Sequence, residues 1–185
     1  ELDVADEKAA ISMVRQVKKT FGQIDVLLNN AGIAAMNHIL TTPYGNAQAV
    51  FNTNFFGTFL FSREVAKVMM RQKIGSIVNY TTVAVPLDLE GEAVYAASKA
   101  AVESFTRISA KELGAFGVRV NAIGPTPVKT DLIRNVPENK LQALLDQQAI
   151  KRFGQFEDVL NVIEFYNSEK SNFITGQTLY LGGVM

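Results

Sequence analysis

Ile24-Asp25-Val26-Leu27-Leu28 is a short, nearly unbroken apolar run, and it leads directly into Asn29-Asn30-Ala31-Gly32. A strand with one wet face alternates apolar and polar residues. A run without alternation suits a strand covered on both faces, as in a parallel sheet. The flanking sequence agrees. Upstream, Ala5 to Phe21 is rich in helix formers, with apolar Ile11, Val14 and Val17, Asp6 as a candidate N-cap and Gly22 as the stop. Downstream, Ala47 to Gln72 reads as one long helix, with Gly75 just past its end. Ser76-Ile77-Val78-Asn79-Tyr80-Thr81 reads as a β-branched strand, Val94 to Phe116 as a helix, and Val118-Arg119-Val120-Asn121-Ala122-Ile123 as a strand stopped by Gly124-Pro125. Pro137 to Gln148 reads as helix. Glu157 to Asn167 is a helix with an apolar stripe that includes Val159, Leu160, Ile163 and Phe165, and Thr178-Leu179-Tyr180-Leu181 is a last strand. Strands alternating with helices predict βαβ units and an α/β fold around a parallel sheet. No linker, repeat or low-complexity segment divides the chain, so residues 1–185 read as one domain.

The bulk properties narrow the function. At 48% hydrophobic content in 185 residues, the chain has the means to build a real core. A net charge of zero argues against a nucleic-acid partner, which needs a basic surface. No apolar run approaches the roughly 18 residues that span a bilayer, and no signal peptide is visible. Cysteine is absent, which excludes disulfides and thiolate metal sites and suits a reducing cytoplasm. His38 is the sole histidine, so no metal is expected.

Tyr95-Ala96-Ala97-Ser98-Lys99 carries the chemistry. Residues i and i+4 share a helix face, so a phenol and an ammonium are held side by side. A free tyrosine ionises near pH 10 and is a poor proton carrier at neutrality. An adjacent positive charge favours the phenolate and is expected to lower that value, which makes the pair a device for moving a proton on or off a hydroxyl.

With these residues in place, the chain resembles the short-chain dehydrogenase/reductases, in particular the single-domain branch that includes the 3-oxoacyl-(acyl-carrier-protein) reductases. The resemblance runs from Asp3-Val4 to Gly182-Gly183, with the motifs in the family's order and spacing. It implies a Rossmann-like doubly wound parallel sheet with helices on both faces, and NADP or NAD as cofactor. By the same resemblance Tyr95 donates the proton in reduction and accepts it in oxidation. Lys99 lowers the pKa of Tyr95 and bonds the nicotinamide ribose. Thr82, thirteen positions before Tyr95, stands where the family usually has serine to orient the substrate oxygen. Threonine keeps the hydroxyl but adds a methyl and stiffens χ1, so a tighter pocket is expected. Alternation along the strand sends its neighbour Thr81 to the other side. In Asn54-Phe55-Phe56-Gly57, Asn54 matches the family's catalytic asparagine, whose amide breaks one helical hydrogen bond and holds a water next to the lysine. The backbone of Asn30, Ala31 and Gly32 lies beside the adenine-side ribose. Asp3, with Val4 beside it, matches a position that touches the adenine amino group. Pro125, Val128 and Thr130 belong to the turn that faces the nicotinamide, the Val128 backbone meeting the carboxamide. Thr126 replaces a usual glycine there, and strain is expected if that position needs φ > 0. Lys151-Arg152-Phe153-Gly154 and Phe173-Ile174-Thr175-Gly176-Gln177 match structural stretches of the C-terminal part.

The family's glycine-rich phosphate loop is not found among the thirteen glycines. Leu2-Asp3-Val4 resembles the end of the third strand, so the sequence lacks the first two βα units, about 60 residues. The residues that normally choose between NAD and NADP belong to that part. The expectation is an N-terminally incomplete domain whose strand at Ile24–Leu28 forms an apolar edge, and a chain that binds the dinucleotide poorly by itself. The leading reading is hydride transfer between nicotinamide and a carbonyl or secondary alcohol, with a 3-oxoacyl thioester as first guess and an acyl-carrier-protein-linked substrate as partner. Leu132, Ile133, Val136, Leu141 and Leu144 make the substrate loop, about 127–148, apolar, which favours a lipid-like substrate. Sugar, steroid and polyol dehydrogenases share the same reacting residues, and a non-catalytic structural or regulatory relative is the alternative of another class. The resemblance also implies a cytoplasmic homo-tetramer or dimer. Phe55, Phe59, Phe61 and Phe105 give its two long helices apolar faces.

Overall fold

The computed structural model describes residues 2–130, 133 and 136–184; Glu1 and Leu132 lie outside the described residues. Strands β1 (Val26–Asn29), β2 (Gly75–Tyr80), β3 (Val118–Gly124) and β4 (Thr178–Tyr180) form one fully parallel sheet in that order. Leu27 sits opposite Ile77, Ile77 opposite Val120, and Ala122 opposite Thr178. Helix α1 (Glu7–Phe21) precedes β1. Helices α2 (Tyr44–Phe51) and α3 (Thr58–Gln72) link β1 to β2, α4 (Ala93–Leu113) links β2 to β3, and α5 (Glu138–Gln147) and α6 (Phe156–Asn167) link β3 to β4. This is the α/β, Rossmann-like arrangement expected.

Both faces of the sheet are covered, which explains the unalternating strands. Val14, Val65, Met69 and Ala110 of α1, α3 and α4 pack on Ile77, Val118 and Val120. On the opposite face Val78 and Ile123 pack against Tyr166 of α6. Successive strand residues point to opposite faces, so Ile77 and Val78 are both buried, each in a different core. A polar seam ties the layers together. Asn29 Nδ2 donates to Asn79 Oδ1 and to Ser62 Oγ, each at 2.8 Å, and Asn79 Nδ2 donates to Thr106 Oγ1 at 2.8 Å. Each member is buried and partnered, as buried polar groups must be.

Local signals behave as their chemistry requires at α1. The Asp6 carboxylate accepts from the Lys8 and Ala9 amides, and Gly22 closes the helix at φ +80°. The expected long helix from Ala47 to Gln72 differs. It starts at Tyr44 and winds as a π-helix over Asn52–Gly57, between α2 and α3. Its stop is Lys73 in the left-handed region, at φ +59°, and Gly75 is instead the first residue of β2. A Cβ on Gly75 would lie 2.4 Å from Met69 Sδ, so the glycine answers a close approach rather than a helix end. In α6 Val159, Val162 and Tyr166 pack against the sheet and Ile163 is buried; Leu160 and Phe165 are exposed. The helix is rotated from the expected phase because Tyr166 outweighs Phe165 as the buried aromatic.

Among the described residues β1 pairs with β2 alone, and its Val26 and Leu28 are exposed, the apolar edge that was expected. Phe55, Phe59, Phe61 and Phe105 find partners within the chain. Phe105 meets Phe55 and Phe59 edge-on, with centroids 6.2 Å apart in each pair, and Phe61 packs on the core. No helix of the described residues is long and apolar enough to cross a membrane.

Candidate active site

Parallel strands bring their C-terminal ends to one edge of the sheet, and the loops beyond that edge form the crevice in which open α/β sheets hold ligands. The expected residues converge there. Tyr95 and Lys99 occupy the first two turns of α4, on one face. Lys99 Nζ donates to the carbonyl of Tyr80, the last residue of β2, at 2.9 Å. Thr82 follows two residues later. Its Oγ1 accepts from the Ala84 amide at 3.2 Å, and its hydroxyl lies near enough to the Tyr95 phenol to oppose the rise of the phenol's pKa. Thr81 does not turn to the other side as expected: the strand ends at Tyr80, and the Thr81 hydroxyl also reaches α4, donating to the Glu103 carboxylate at 2.5 Å.

Asn54 is fully buried in the π-helical turn. Its Oδ1 accepts from the Ile33 amide at 2.8 Å, and its Nδ2 donates to the Ile33 carbonyl at 2.9 Å and to Ser98 Oγ at 3.0 Å. Ser98 in turn donates to the Tyr95 carbonyl at 2.7 Å. The Asn54 side chain thus has protein partners on both its oxygen and its nitrogen, and it ties the loop after β1 to α4. Gly32 lies in the same knot, where a Cβ would come within 3.3 Å of Lys99 Nζ and 3.4 Å of Asn54 Oδ1.

The electrostatics also correct the sequence expectation. Burial pushes the Tyr95 phenol up to about 12; the Thr82 hydroxyl opposes that rise and the Glu92 carboxylate adds to it. Burial pushes Lys99 down to about 8. The lysine was expected to lower the tyrosine, but its ammonium is directed at the Tyr80 carbonyl, and both groups have lost water. For each of them desolvation of the charged form outweighs attraction. Near neutrality the phenol thus keeps its proton while the amine is still mostly charged.

On the cofactor side, Val4, Asn30 and Ala31 line a cavity of about 180 Å³ at the end of β1, with Leu28, Thr53 and Phe61 completing its wall. Gly57 makes room for Val4: a Cβ there would lie 2.8 Å from Val4 Cγ2. Asp3 is outside this lining, and its carboxylate accepts the Ala5 amide at 2.9 Å. Beyond β3, the Pro125 carbonyl accepts the Val83 amide at 3.4 Å, Val128 pairs with Gly154 in a parallel bridge, and Thr130 is exposed. No hydrogen bond among the described residues joins Val128 or Thr130 to Tyr95 or Lys99. Thr126 is not strained. Among the described residues the non-glycine positions at positive φ are Lys73 and Asp88, and Thr126 is buried with its methyl against Gly182, where a Cβ would sit 2.6 Å from it. A glycine opposite, rather than a glycine in place, accommodates the threonine.

Sequence reasoning missed Ser98, the Tyr80 carbonyl, Ile33 and Glu103. The first three act through backbone or through a motif's interior, where residue type gives little signal. Glu103 was findable, since it continues the spacing of four from Tyr95 through Lys99.

Comparison with known proteins gives consistent results. A family model described as enoyl-(acyl carrier protein) reductase matches residues 1–184. A 3-oxoacyl-(acyl-carrier-protein) reductase FabG of Staphylococcus epidermidis is 34% identical over 185 residues, which are all of this chain and 76% of that protein. The FabG of Thermotoga maritima is 36% identical over 182 residues, covering 98% of this chain and 74% of its own length. The crystal structure of an NAD+-bound xylitol dehydrogenase superposes with a TM-score of 0.90 at 29% identity, over 98% of this chain and 76% of that one.

Proposed function

The chain belongs to the short-chain dehydrogenase/reductase family, an NAD(P)-dependent oxidoreductase class, and from that premise we propose that it reduces 3-oxoacyl thioesters carried on an acyl-carrier protein. The observation that carries the reading is the convergence of Tyr95, Lys99 and Thr82 at the C-terminal edge of the sheet, with Lys99 held on the Tyr80 carbonyl one helical turn from Tyr95.

The residues present fit a dinucleotide. The cavity beside Val4, Asn30 and Ala31 is walled mainly by apolar atoms, as an adenine ring needs, and Gly32 keeps a side chain from crowding Lys99. The bound nicotinamide supplies or takes the hydride. Lys99, buried and charged, offers donors to ribose hydroxyls on the same side as Tyr95. Pro125, Val128 and Thr130 are the positions we assign to the nicotinamide end, and Asp3 to the adenine amino group. Thr82 Oγ1 orients the substrate oxygen, and Tyr95 delivers the proton to it as the carbonyl becomes an alcohol. A phenol pushed up to about 12 carries its proton at neutral pH, the form that a donor to the substrate oxygen needs. Asn54 acts at one remove by fixing Ile33 and Ser98.

Ile133, Val136, Leu141 and Leu144 support a lipid-like acyl chain; each is at least half-buried along the segment after β3. The similarity to a xylitol dehydrogenase and the acidic Glu92 near Tyr95 favour a polyol or sugar as second reading. We place the protein in the cytoplasm as a homo-tetramer or dimer, built on the faces of the π-helical turn and of α4, where Phe56 and Ile108 are exposed.

The deciding experiment follows oxidation of NADPH and of NADH with an acetoacetyl thioester, a crotonyl thioester and xylulose. Turnover of the acetoacetyl thioester, with Tyr95→Phe lowering kcat by about 10²-fold or more, is expected. Preference for the crotonyl thioester or for xylulose overturns the substrate assignment. Equal rates for the wild type and Tyr95→Phe overturn the role of the phenol.

A further inference from the structure

The four-residue spacing along α4 does not stop at Lys99. Tyr95, Lys99 and Glu103 form one stripe, each a little more than a turn from the last. They face three consecutive residues at the end of β2: Lys99 Nζ donates to the Tyr80 carbonyl, the Thr81 hydroxyl donates to Glu103, and the Thr82 hydroxyl lies beside the Tyr95 phenol. Glu103 is 8% exposed, and both of its bonds converge on Oε1. The second donor is the Tyr180 hydroxyl, at 2.5 Å, from the last residue of β4. The Tyr180 ring is itself pressed on the backbone of β3, for a Cβ on Gly124 would lie 2.3 Å from its Cδ1 and 3.2 Å from the Thr81 methyl. One carboxylate oxygen therefore gathers the ends of two strands onto the helix that bears the proton donor.

We propose that Glu103 is a positioning residue of the active site, holding Thr81 so that the adjoining Thr82 hydroxyl stays aligned with Tyr95. This rests on the reading of Tyr95 and Thr82 given above. A purely stabilising role would not need this placement. A peptide that shifts at Thr81 carries Thr82 with it, since the two residues share a bond, and the Thr82–Tyr95 contact is the first to open. Buried carboxylates without partners are costly, yet here both hydroxyl donors come from the strand ends that frame the crevice.

The test compares Glu103→Ala, Glu103→Gln and Thr81→Val with Ser171→Ala, a buried hydroxyl on the far side of β3 that bonds the Tyr166 carbonyl and Arg119. Two readouts are taken on the intact protein: kcat and KM for acetoacetyl thioester reduction, and the Tyr95 ring-carbon NMR resonance, assigned with Tyr95→Phe. Glu103→Ala is expected to lower kcat by about 10²-fold with KM within a few-fold, as a misplacement of an ångström does, and to move the Tyr95 resonance. Thr81→Val is expected to do the same. Glu103→Gln, which keeps an oxygen acceptor, is expected to restore most of kcat, and Ser171→Ala to lose stability with both readouts unchanged. The inference is overturned if Glu103→Ala or Thr81→Val leaves the Tyr95 resonance in place, or if Ser171→Ala lowers kcat equally. Should the wild type turn over no acetoacetyl thioester, the function reading fails on that result alone, while the resonance still decides the positioning claim.

Discussion

Replacing Lys99 by Met should flatten the dependence of stability on pH in the mildly alkaline range. Methionine keeps the length and apolar stem of the side chain and removes the ammonium. In the folded chain burial holds the Lys99 proton at about 8, against 10.5 for the free side chain. The folded state therefore binds this proton more weakly than the unfolded one. Below pH 8 both states are protonated and burial of the charge costs roughly 3 kcal/mol. Between 8 and 10.5 the unfolded chain keeps the proton while the folded chain releases it, so the cost shrinks and stability rises with pH. Integrated between roughly pH 7 and pH 9.5, the relief is about 2 kcal/mol. The Tyr80 carbonyl loses its donor in the variant, but that loss is the same at both pH values and cancels. Other lysines and tyrosines cancel between the two proteins. The assay is urea unfolding of wild type and Lys99→Met at both pH values, read as the double difference. A wild type that gains no stability relative to the variant would show that Lys99 is hydrated in the folded protein, and the reasoning about this site would have to be withdrawn.

Two further outcomes follow from packing. Gly117→Ala should destabilise by more than about 2 kcal/mol, because the residue sits at φ +75° and a Cβ would lie within contact distance of the Lys73 carbonyl, at 2.2 Å from its oxygen; chemical denaturation checks it, and an unchanged midpoint refutes it. Asn79→Ala should cost about 2–3 kcal/mol, since it strands the Asn29 amide and removes the donor to Thr106 in a dry seam, whereas Asn79→Asp at low pH should recover part of the loss.

Strand and helix identities were legible because Ile77, Val78, Val120 and Ile123 sit between two helical layers and had no reason to alternate. Asp6 and Gly22 were legible because capping is local chemistry. The π-helical turn was not, since its cause is long-range: Asn54 is drawn to the backbone of Ile33, twenty-one residues away, and Phe55-Phe56-Gly57 would read as plain helix in any short window. The Tyr95–Lys99 pairing was readable as a juxtaposition, but its electrostatic sign was not. Residue spacing reveals proximity; it does not reveal how much water each group surrenders. Thr126 looked like a misfit because its relief lies at Gly182, across a tertiary contact.

The wide turn at Asn52–Gly57 has a consequence for how this chain tolerates insertions and deletions. Upstream of it, α2 is phased by Val50; downstream, Ser62, Val65 and Met69 of α3 must meet the polar seam and the core. Removing one residue from the α-helical stretch between the turn and Ser62 would spin everything after it by about 100° about the helix axis. Met69 would swing toward solvent and a surface side chain would take its place. The count of residues between positions 50 and 62 is thus a constraint in its own right, one that no conservative exchange of side chains satisfies. Length changes there can survive only in compensating pairs.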